Sequence, residues 1–411
     1  MEEVLQKVKK SAFTVASLEG GVKRKILVQM ADELIKNSSR IIEENKKDLK
    51  YAKENRLSDA LMDRLLLDEK RVASMAQALK DIAALKNPVG RVIEGWVLDN
   101  GLRIEKVKIP IGVIGIIYES RPNVTSDAAG LCFMSGNACI LKGGKEAMYS
   151  NIAVISVLQE VLEKNSLPKE IVSLLPDYSR EGVHKLIQED KYVDLIIPRG
   201  GEKLIKYISE NSKVPVVKHD KGLCHIYIHK DADIDEAVAI SINAKVQRPG
   251  VCNAVETLLV DDGIKKIILP KLKSEMEKEG VVLKGCEKTC QIIDIQKASK
   301  EDWNTEYLDK ILSIKVVDGL DEAIEHIQKY GSGHSDSVIT ENYTVAEEFL
   351  NRVDSACVYV NASTRFTDGG EFGFGAEVGI STNKLHARGP MGIDDLTTYK
   401  YKIYGNGQIR G

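Results

Sequence analysis

Apolar and polar residues along the first 90 positions follow a helical pattern. In the segment 71–83, apolar side chains recur at helical spacing, and polar or charged residues occupy most of the other positions. The apolar stripe consists of Val72, Met75, Leu79, Ile82 and Ala83. The N-terminal region is therefore predicted to consist of amphipathic helices.

Two short runs at 91–98 and 102–108 have the character of strands. They are separated by Asn100-Gly101, which is the strongest short signal for a β-hairpin turn. Near the C-terminus, residues 397–404 alternate polar with aromatic or aliphatic side chains. This alternation predicts one further strand.

From residue 113 onward, continuous apolar runs alternate with helical patterns. Strands are predicted at 113–118, 138–141, 172–175, 193–197, 254–260 and 314–317. Helices are predicted at 127–135, 146–164, 181–188, 202–210, 234–244, 264–278 and 321–329. Apolar strands that alternate with helices indicate parallel sheets covered on both faces, so the fold class is α/β. Because 411 residues are too many for one hydrophobic core, two or three domains are expected.

Composition and charge narrow the classes of function. A formal net charge of −3 and an aromatic content of 5% give no basis for a nucleic-acid surface. No apolar run approaches the roughly 20 residues that a membrane span needs. The seven cysteines, an odd number, do not suggest a disulfide framework, and no ligand set completes a metal site. We therefore expect a cytoplasmic protein without a structural metal.

Two strand-to-helix junctions contain a Gly-Gly pair after a basic residue, at 142–144 and 199–201. Glycines allow the backbone to approach a phosphate, and the helix that follows offers free N–H groups and a positive dipole end. Lys142 and Arg199 would add full charges. The alternative is that these turns need glycine only for their dihedral angles. The sequence contains no G-x-G-x-x-G, so an ordinary Rossmann dinucleotide site is not supported.

Cys252 differs from the other cysteines in its local sequence. It follows Gln247-Arg248-Pro249-Gly250, on a segment predicted to connect a helix to a strand. A nearby cation and exposed backbone donors favour a thiolate, which makes Cys252 a candidate nucleophile. The alternative is a small buried apolar side chain, which is the more common role of a cysteine.

Three arginines fall in loop-like stretches rich in Gly, Pro, Ser and Thr. They are Arg121, Arg365 and Arg388, and the last two lie in the irregular region 361–392. A guanidinium fork suits a carboxylate or a phosphate, and long irregular stretches in compact proteins are often functional. Capping of loops and pairing with nearby acids remain equally good explanations of these arginines.

Several stretches carry a family resemblance that covers essentially the whole chain. They are YESRPN at 118–123, NAKVQRP at 243–249, CNAVET at 252–257, VDGLDEA at 317–323, His326-Ile327, HSD at 334–336, VNASTRFTDGG at 360–370 and KLHARGPMG at 384–392. In these residues the sequence resembles the γ-glutamyl phosphate reductases, a branch of the aldehyde dehydrogenase superfamily. The resemblance implies an aldehyde-dehydrogenase-like fold, with two parallel-sheet α/β domains and an oligomerisation arm formed by the β-hairpin and the C-terminal strand.

The same resemblance implies an activity and a set of site residues. The activity is NADPH-dependent reduction of L-glutamate 5-phosphate to L-glutamate 5-semialdehyde with release of phosphate, in proline synthesis from glutamate. Cys252 corresponds to the nucleophile. The implied cofactor-binding residues are Lys142, Gly143, Arg199, Gly200, Gly201 and Glu306. For the substrate we expect Arg121, Asn123, Asn361 and Arg365.

One departure from the superfamily pattern bears on the reaction. Hydrolytic aldehyde dehydrogenases carry a glutamate base before the nucleophile, whereas the corresponding segment 218–222 reads KHDKG and contains no glutamate. An acyl phosphate already has a good leaving group, and reduction of a thioester requires no activated water. The missing base therefore favours an acyl phosphate substrate over the hydrolytic oxidation of an aldehyde.

Three alternatives remain open at this point. A related enzyme that acts on a plain aldehyde or an acyl-CoA would share Cys252 and the fold, but it would not explain the missing base. A non-catalytic binding module is a second class, against which Cys252 and Lys142 argue. A transferase that uses Cys252 without redox chemistry is a third, and it would lack cofactor binding.

The resemblance also predicts domain boundaries and partners. The cofactor-binding domain is expected at 1–93 and 109–224, the catalytic domain at 225–385, and the oligomerisation arm at 94–108 and 386–411. We expect a homodimer or a tetramer that acts on a small molecule, without nucleic acid or membrane partners. A contact with the glutamate 5-kinase that supplies the labile substrate is conceivable, but nothing in the sequence supports it.

Overall fold

The computed structural model describes residues 1–217 and 221–410, which form two compact units. Unit 1 comprises Met1–Lys218, Gly373–Gly379 and Met391–Gly411. Unit 2 comprises His219–Phe372 and Ile380–Pro390. Each unit contains one parallel sheet with helices packed against it, as the alternation of apolar strands and helical segments predicts.

Unit 1 begins with five helices before its first strand. The helices of this unit are α1 (Glu2–Ala16), α2 (Gly20–Lys36), α3 (Ser38–Glu54), α4 (Asp59–Leu65), α5 (Glu69–Ala84), α6 (Asn123–Met134), α7 (Met148–Lys164), α8 (Arg180–Ile187) and α9 (Glu202–Asn211), with 3-10 turns at Lys145–Ala147 and Lys169–Ile171. Its strands are β1 (Val92–Val97), β2 (Arg103–Pro110), β3 (Val113–Tyr118), β4 (Ala138–Lys142), β5 (Val172–Leu174), β6 (Leu195–Arg199) and, near the C-terminus, β16 (Thr397–Tyr404).

The parallel sheet of unit 1 has the strand order β5-β4-β3-β6. All six residues of β3 are buried, which explains why this strand is a continuous apolar run. Its last residues pair with the ends of both neighbours: Ile117 lies opposite Lys142 on β4, and Tyr118 lies opposite Arg199 on β6. Because parallel strands end at the same edge of a sheet, the two Gly-Gly junctions and the segment after Tyr118 lie at one edge.

The predicted hairpin and terminal strand form a separate antiparallel sheet. Its order is β1-β2-β16, and the register runs from Thr397 opposite Pro110 to Tyr404 opposite Arg103. Strand β1 is exposed along its whole length, and large apolar side chains such as Val97 and Ile403 are more than 60% exposed in this chain. An exposed apolar sheet of this kind is typical of an interface, so the role of an oligomerisation arm remains our prediction for it.

Unit 2 contains the second α/β sheet. Its helices are α10 (Ile234–Val246), α11 (Lys265–Lys278), α12 (Glu287–Cys290), α13 (Leu320–Tyr330) and α14 (Tyr343–Arg352), with 3-10 turns at Asp302–Asn304 and Thr364–Phe366. Its strands are β7 (Cys224–Ile228), β8 (Val255–Asp261), β9 (Val282–Gly285), β10 (Gln296–Lys297), β11 (Ile311–Val317), β12 (Ser335–Ile339) and β13 (Cys357–Val360). The short pair β14 (Gly379–Ser381) and β15 (Gly389–Met391) has residues in the ranges of both units.

The sheet of unit 2 has the order β10-β9-β11-β8-β7-β12-β13, and all of its neighbouring strands run parallel. Aliphatic side chains of β8, α11 and β11 form its larger core cluster. The segment before β7, the segment before β8 and the segment before β12 meet at the amino ends of these central strands. This edge carries the residues that surround Cys252.

Candidate active site

Cys252 lies in the loop that connects α10 to β8, as the sequence predicts. The helix ends at Val246 because Pro249 and Gly250 follow within one turn. Cys252 itself is half-buried, and its carbonyl oxygen accepts a hydrogen bond from the Cys224 thiol, with an S–O distance of 3.2 Å. The backbone of the candidate nucleophile is therefore fixed from the adjacent strand β7.

Gly222 passes directly against this loop. A Cβ on Gly222 would lie 1.9 Å from the Cys252 carbonyl oxygen, so any other residue would push the two segments apart. The Gly222 N–H donates to Glu306 Oε1 at 2.8 Å. Unit 2 therefore brings Glu306, a predicted cofactor ligand, next to the glycine that touches Cys252.

Arg365 binds the two amide side chains that flank the Cys252 loop. Its Nε donates to Gln247 Oε1 at 2.8 Å, and its guanidinium also bonds to Asn253 Oδ1. Burial lowers the pKa of Arg365, as does the positive charge of Arg248, while the charge of Asp368 and the proximity of Cys252 act in the opposite direction. The structure thus brings Arg365 next to the loop that carries Cys252, and a contact of Arg365 with the substrate remains a prediction.

Asn253 is held on three sides. Its Nδ2 donates to the Thr367 carbonyl at 2.8 Å, and its own carbonyl accepts from Thr364 Oγ1 at 2.7 Å. Its Oδ1 accepts a hydrogen bond from the Arg365 guanidinium. Residues of the stretch 360–370, which carries the family resemblance, therefore hold the residue that follows Cys252 in place.

Asn361 is placed differently from Arg365. It has a positive φ of 51°, and its amide bonds in both directions to the Thr340 backbone, at 2.8 Å to the N–H and 3.0 Å to the carbonyl. These bonds join the ends of β12 and β13. A contact between Asn361 and the substrate remains a prediction from the resemblance.

Lys142 and Gly143 form the first Gly-Gly junction of unit 1. The buried Lys142 Nζ donates to the carbonyls of Gly143 and Tyr178, both at 3.1 Å. Burial lowers the pKa of Lys142, against the negative charges of Glu146, Asp177 and Glu119. A Cβ on Gly143 would lie 2.1 Å from Asn151 Nδ2, so glycine is needed for the close approach of this turn.

Arg199, Gly200 and Gly201 form the second junction, before α9. The Gly201 N–H, at the N-terminus of the helix, donates to Glu119 Oε2 at 3.0 Å. A carboxylate of the chain therefore uses the donor that a cofactor phosphate would use. A phosphate could bind to this N–H only if Glu119 moved away.

Arg121 and Asn123 follow β3 at the same edge of the sheet. The turn before Arg121 has a positive φ of 45° at Ser120, whose N–H donates to Glu146 Oε1 at 2.7 Å. Asn123 is exposed in the first turn of α6, where its Nδ2 donates to Asp127 Oδ2 at 3.1 Å. Burial raises the pKa of Asp127 to about 6, against the effects of Asn123 and of the Arg199 charge. Arg121, Asn123, Lys142 and Arg199 thus share one edge of unit 1.

Three buried polar atoms at this edge lack a hydrogen-bond partner within the part of the chain that the structure describes. They are Asn151 Nδ2, Tyr178 Oη and Arg199 Nε. Asn151 and Tyr178 adjoin Lys142 and Gly143, and Arg199 begins the second junction. Buried polar atoms normally have partners, so these groups fit a polar ligand such as a nicotinamide dinucleotide at the two junctions.

Some residues around Cys252 escaped sequence reasoning. Lys245 Nζ and Glu256 Oε2 form an ion pair at 2.7 Å, with side chains 0% and 1% exposed. Burial raises the pKa of Glu256 to about 7 and lowers that of Lys245. Both residues lie in stretches that carry the family resemblance, NAKVQRP and CNAVET, but charged residues on a helix and a strand give no local signal of burial.

The segment 218–222, which lacks the glutamate base, is described only in part. Residues 218–220 lie outside the described residues. Lys221 Nζ donates to the Asn304 carbonyl at 2.9 Å. In the described residues, no helix is long and apolar enough to cross a membrane, and no group of three or more His, Cys, Asp and Glu side chains could hold a metal ion.

Known proteins resemble this chain along its full length. The aldehyde dehydrogenase family matches residues 3–310 and 289–401. The γ-glutamyl phosphate reductases of Nautilia profundicola and Nitratiruptor sp. are 83% and 70% identical, with 100% of each chain covered. The crystal structure of the γ-glutamyl phosphate reductase of Thermotoga maritima has a TM-score of 0.98 at 46% identity, covering 100% of this chain and 99% of that one. An acetylating aldehyde dehydrogenase of Geobacillus thermoglucosidasius, at 20% identity and a TM-score of 0.71, covers 100% of this chain and 97% of its own and shares the fold.

Proposed function

The chain belongs to the γ-glutamyl phosphate reductases of the aldehyde dehydrogenase family, and we propose that it reduces L-glutamate 5-phosphate to L-glutamate 5-semialdehyde, a step of proline synthesis. Phosphate is the second product. The observation that carries the proposal is the environment of Cys252, a half-buried cysteine on a braced loop beside Arg365 and Glu306. The family expected from the sequence motifs is confirmed, and the mechanism and the choice of cofactor are proposals.

In the proposed mechanism, the Cys252 thiolate attacks the γ-carbonyl carbon of the acyl phosphate. The oxyanion is met by backbone N–H groups, among them that of Cys252 itself. The bond between carbon and the phosphate oxygen then breaks, phosphate leaves, and the acyl group remains on the sulfur as a thioester. After reduction, the carbon–sulfur bond breaks, the aldehyde leaves, and the thiolate is restored.

NADPH, when bound, supplies the hydride that reduces the thioester. Lys142, Gly143, Arg199, Gly200 and Gly201 would hold it in unit 1, and Glu306 would contact its nicotinamide ribose. Buried atoms of Asn151, Tyr178 and Arg199 lack a hydrogen-bond partner among the described residues, which supports a polar ligand at the two junctions.

Arg121 and Arg365, together with Asn123 or Asn361, would hold the phosphate and the α-carboxylate of the substrate. Both arginines lie in stretches that match the family, and a guanidinium fork binds either anion in two bonds. The contact of Arg365 with the residues that flank Cys252 supports its place in this set. We further propose that the protein works in the cytoplasm as a homodimer or tetramer built through the sheet β1-β2-β16.

The reverse reaction tests this proposal, because it avoids the labile acyl phosphate. Purified protein is mixed with glutamate 5-semialdehyde, NADP⁺ and phosphate, and the formation of NADPH is followed by absorbance. We expect a rate that depends on phosphate and is lost in Cys252→Ala. Coenzyme A in place of phosphate is the comparison for an acylating enzyme. Turnover without phosphate, or turnover with coenzyme A alone, would contradict the proposal.

A further inference from the structure

The Cys252 loop adjoins a second loop, which comprises residues 304–309 and is named here the Glu306 loop. Glu306 accepts from Gly222, and Gly222 touches the Cys252 backbone. A Cβ placed on Gly250 would lie 3.6 Å from the Leu308 carbonyl oxygen, so the Glu306 loop also runs directly beside the Cys252 loop. The position of Cys252 therefore depends on what holds the Glu306 loop.

We propose that the buried Lys245–Glu256 ion pair is a positioning element for catalysis, which holds the Glu306 loop against the Cys252 loop. Lys245 lies in the last turn of α10, just before the Cys252 loop, and Glu256 lies on β8, just after it. The pair therefore spans both ends of the loop that carries the nucleophile.

The carboxylate of Glu256 uses its two oxygens for two different segments. Oε2 accepts from Lys245 at 2.7 Å, and Oε1 accepts the Leu308 N–H at 3.3 Å. Leu308 has a positive φ of 53°, a conformation that leucine avoids and that persists only where the surroundings impose it. The bond from Glu256 is one such constraint on the Glu306 loop.

A contribution to stability does not explain why the Lys245–Glu256 ion pair is buried. Removing two charges from water is costly, and well-packed apolar residues of similar volume often serve as well or better in a core. Both side chains are fully buried, and Lys245 Nζ also lies 5.9 Å from the centre of the Tyr307 ring, in the same Glu306 loop. The geometry indicates that the charges of Lys245 and Glu256 hold the Glu306 loop in place.

The inference rests on the proposed role of Cys252, so its test includes a readout that does not require turnover. Two variants remove the positioning contact in different ways. Lys245→Met with Glu256→Leu replaces the pair by apolar side chains and removes the acceptor of the Leu308 N–H. Glu256→Gln keeps the volume of the side chain but leaves one acceptor oxygen, so it cannot accept from both Lys245 Nζ and the Leu308 N–H.

The matched control is Lys23→Met, which removes another fully buried lysine. Lys23 lies on α2 of unit 1 and donates to Asn87 Oδ1 and to the Met134 carbonyl, both at 2.8 Å. Neither of these partners belongs to the Cys252 loop or the Glu306 loop. We therefore expect a lower melting temperature in this variant with wild-type kcat.

Four quantities are measured in each folded variant. They are kcat and KM of the phosphate-dependent reverse reaction, the dissociation constant of NADP⁺, and the rate at which iodoacetamide alkylates Cys252, identified by peptide mapping. We expect kcat to fall at least tenfold in the double variant and in Glu256→Gln, and the alkylation rate of Cys252 to change at least threefold in both. The glutamate 5-semialdehyde KM should change less than kcat.

Two outcomes would overturn the inference. One is a kcat and an alkylation rate within twofold of the wild type in the folded variants, and Glu256→Gln decides alone if the double variant does not fold. The other is a fall in kcat and a change in the alkylation rate in Lys23→Met as large as those in the ion-pair variants. That result would show that any loss of stability lowers activity. Full activity in Cys252→Ala would instead contradict the proposed function, and the alkylation rates would still report whether the pair positions Cys252.

Discussion

Replacement of Arg365 by alanine is the most informative single change at the candidate site. The side chain makes two contacts at the Cys252 loop, from Nε to Gln247 Oε1 at 2.8 Å and from the guanidinium to Asn253 Oδ1. It is also a candidate to bind one of the two anionic groups of the substrate. Alanine removes both roles together.

The magnitude follows from what each role loses. Asn253 is 3% exposed, so its Oδ1 would lose a charged donor in a place that water reaches poorly, at a cost of about 1–3 kcal/mol. Loss of a guanidinium from a desolvated ion contact costs about 2–5 kcal/mol. Either role therefore predicts a fall in kcat/KM, and about 2 kcal/mol corresponds to roughly 30-fold.

Two further variants separate these roles. Arg365→Lys keeps the charge but loses the fork, so it should recover only part of the activity. Gln247→Ala removes the partner of Nε and leaves the guanidinium in place. If Arg365 binds phosphate, Arg365→Ala should raise the phosphate KM of the reverse reaction and Gln247→Ala should not. If Arg365 only braces the loop, both variants should lower kcat and change Cys252 alkylation while the phosphate KM stays constant.

The assay is the same NADP⁺ reduction, run as a matrix of phosphate and glutamate 5-semialdehyde concentrations, together with the forward reaction on freshly prepared acyl phosphate. Unchanged kinetics of Arg365→Ala in both directions would refute the reasoning. In that case neither the anion contact nor the bracing contact would affect catalysis.

Four other predictions follow from the same residues and surfaces. Cys252→Ser should lower turnover about 10⁴-fold or more with NADP⁺ binding near normal, and a tenth of wild-type activity would contradict its role as nucleophile. Arg121→Ala should lower kcat/KM by roughly 30-fold, and unchanged kinetics would remove it from the site. Burial lowers the pKa of His326 to about 2, so the stability that this neutral imidazole contributes is present above about pH 6.5 and is lost as the pH falls; by pH 5.5 the loss is about 1.4 kcal/mol. Urea unfolding should show that the free energy of unfolding falls between pH 7.5 and pH 5.5 by about that much less in His326→Phe than in the wild type. An equal fall in both proteins would contradict the burial argument. Light scattering should report an oligomer for the wild type and a smaller species for Val97→Glu with Ile403→Glu, whereas a wild-type monomer of 45.5 kDa with full activity would exclude the arm as an interface.

Much of the fold could be predicted from the sequence where local pattern and burial coincide. Strand β3 is a continuous apolar run and has the predicted bounds, and β16 alternates and also has the predicted bounds. Strand β12 was missed because its sequence, SDSVI, begins with polar residues that are all buried. Asp336 is satisfied there by the His225 N–H and ring, 111 residues away along the chain. A local pattern contains no sign of such a partner.

In the candidate site, too, some features could be predicted from local sequence and others depend on the tertiary fold. The Cys252 loop could be predicted because proline and glycine end a helix locally, and the Gly-Gly junctions because their turns follow apolar strands. The bonds that brace the loop, from Arg365 to Gln247 and Asn253, join residues 112 or more positions apart. Only the arrangement of β8, β12 and β13 brings them together, so they are properties of the tertiary fold.

The candidate site residues of unit 1 and unit 2 differ in how their hydrogen-bonding groups are used. At the edge of unit 1, several buried polar atoms have no hydrogen-bond partner among the described residues, and the proposed cofactor would supply partners for them. Glu119 already accepts from the Gly201 N–H at the same edge. In unit 2 the bonding capacity around Cys252 is directed at its carbonyl and at its neighbour Asn253. A cofactor that enters and leaves in every cycle requires the first arrangement, because its bonds must form and break. The role proposed for Cys252 requires the second, because the backbone of a nucleophile must keep one position while an acyl group is bound, reduced and released.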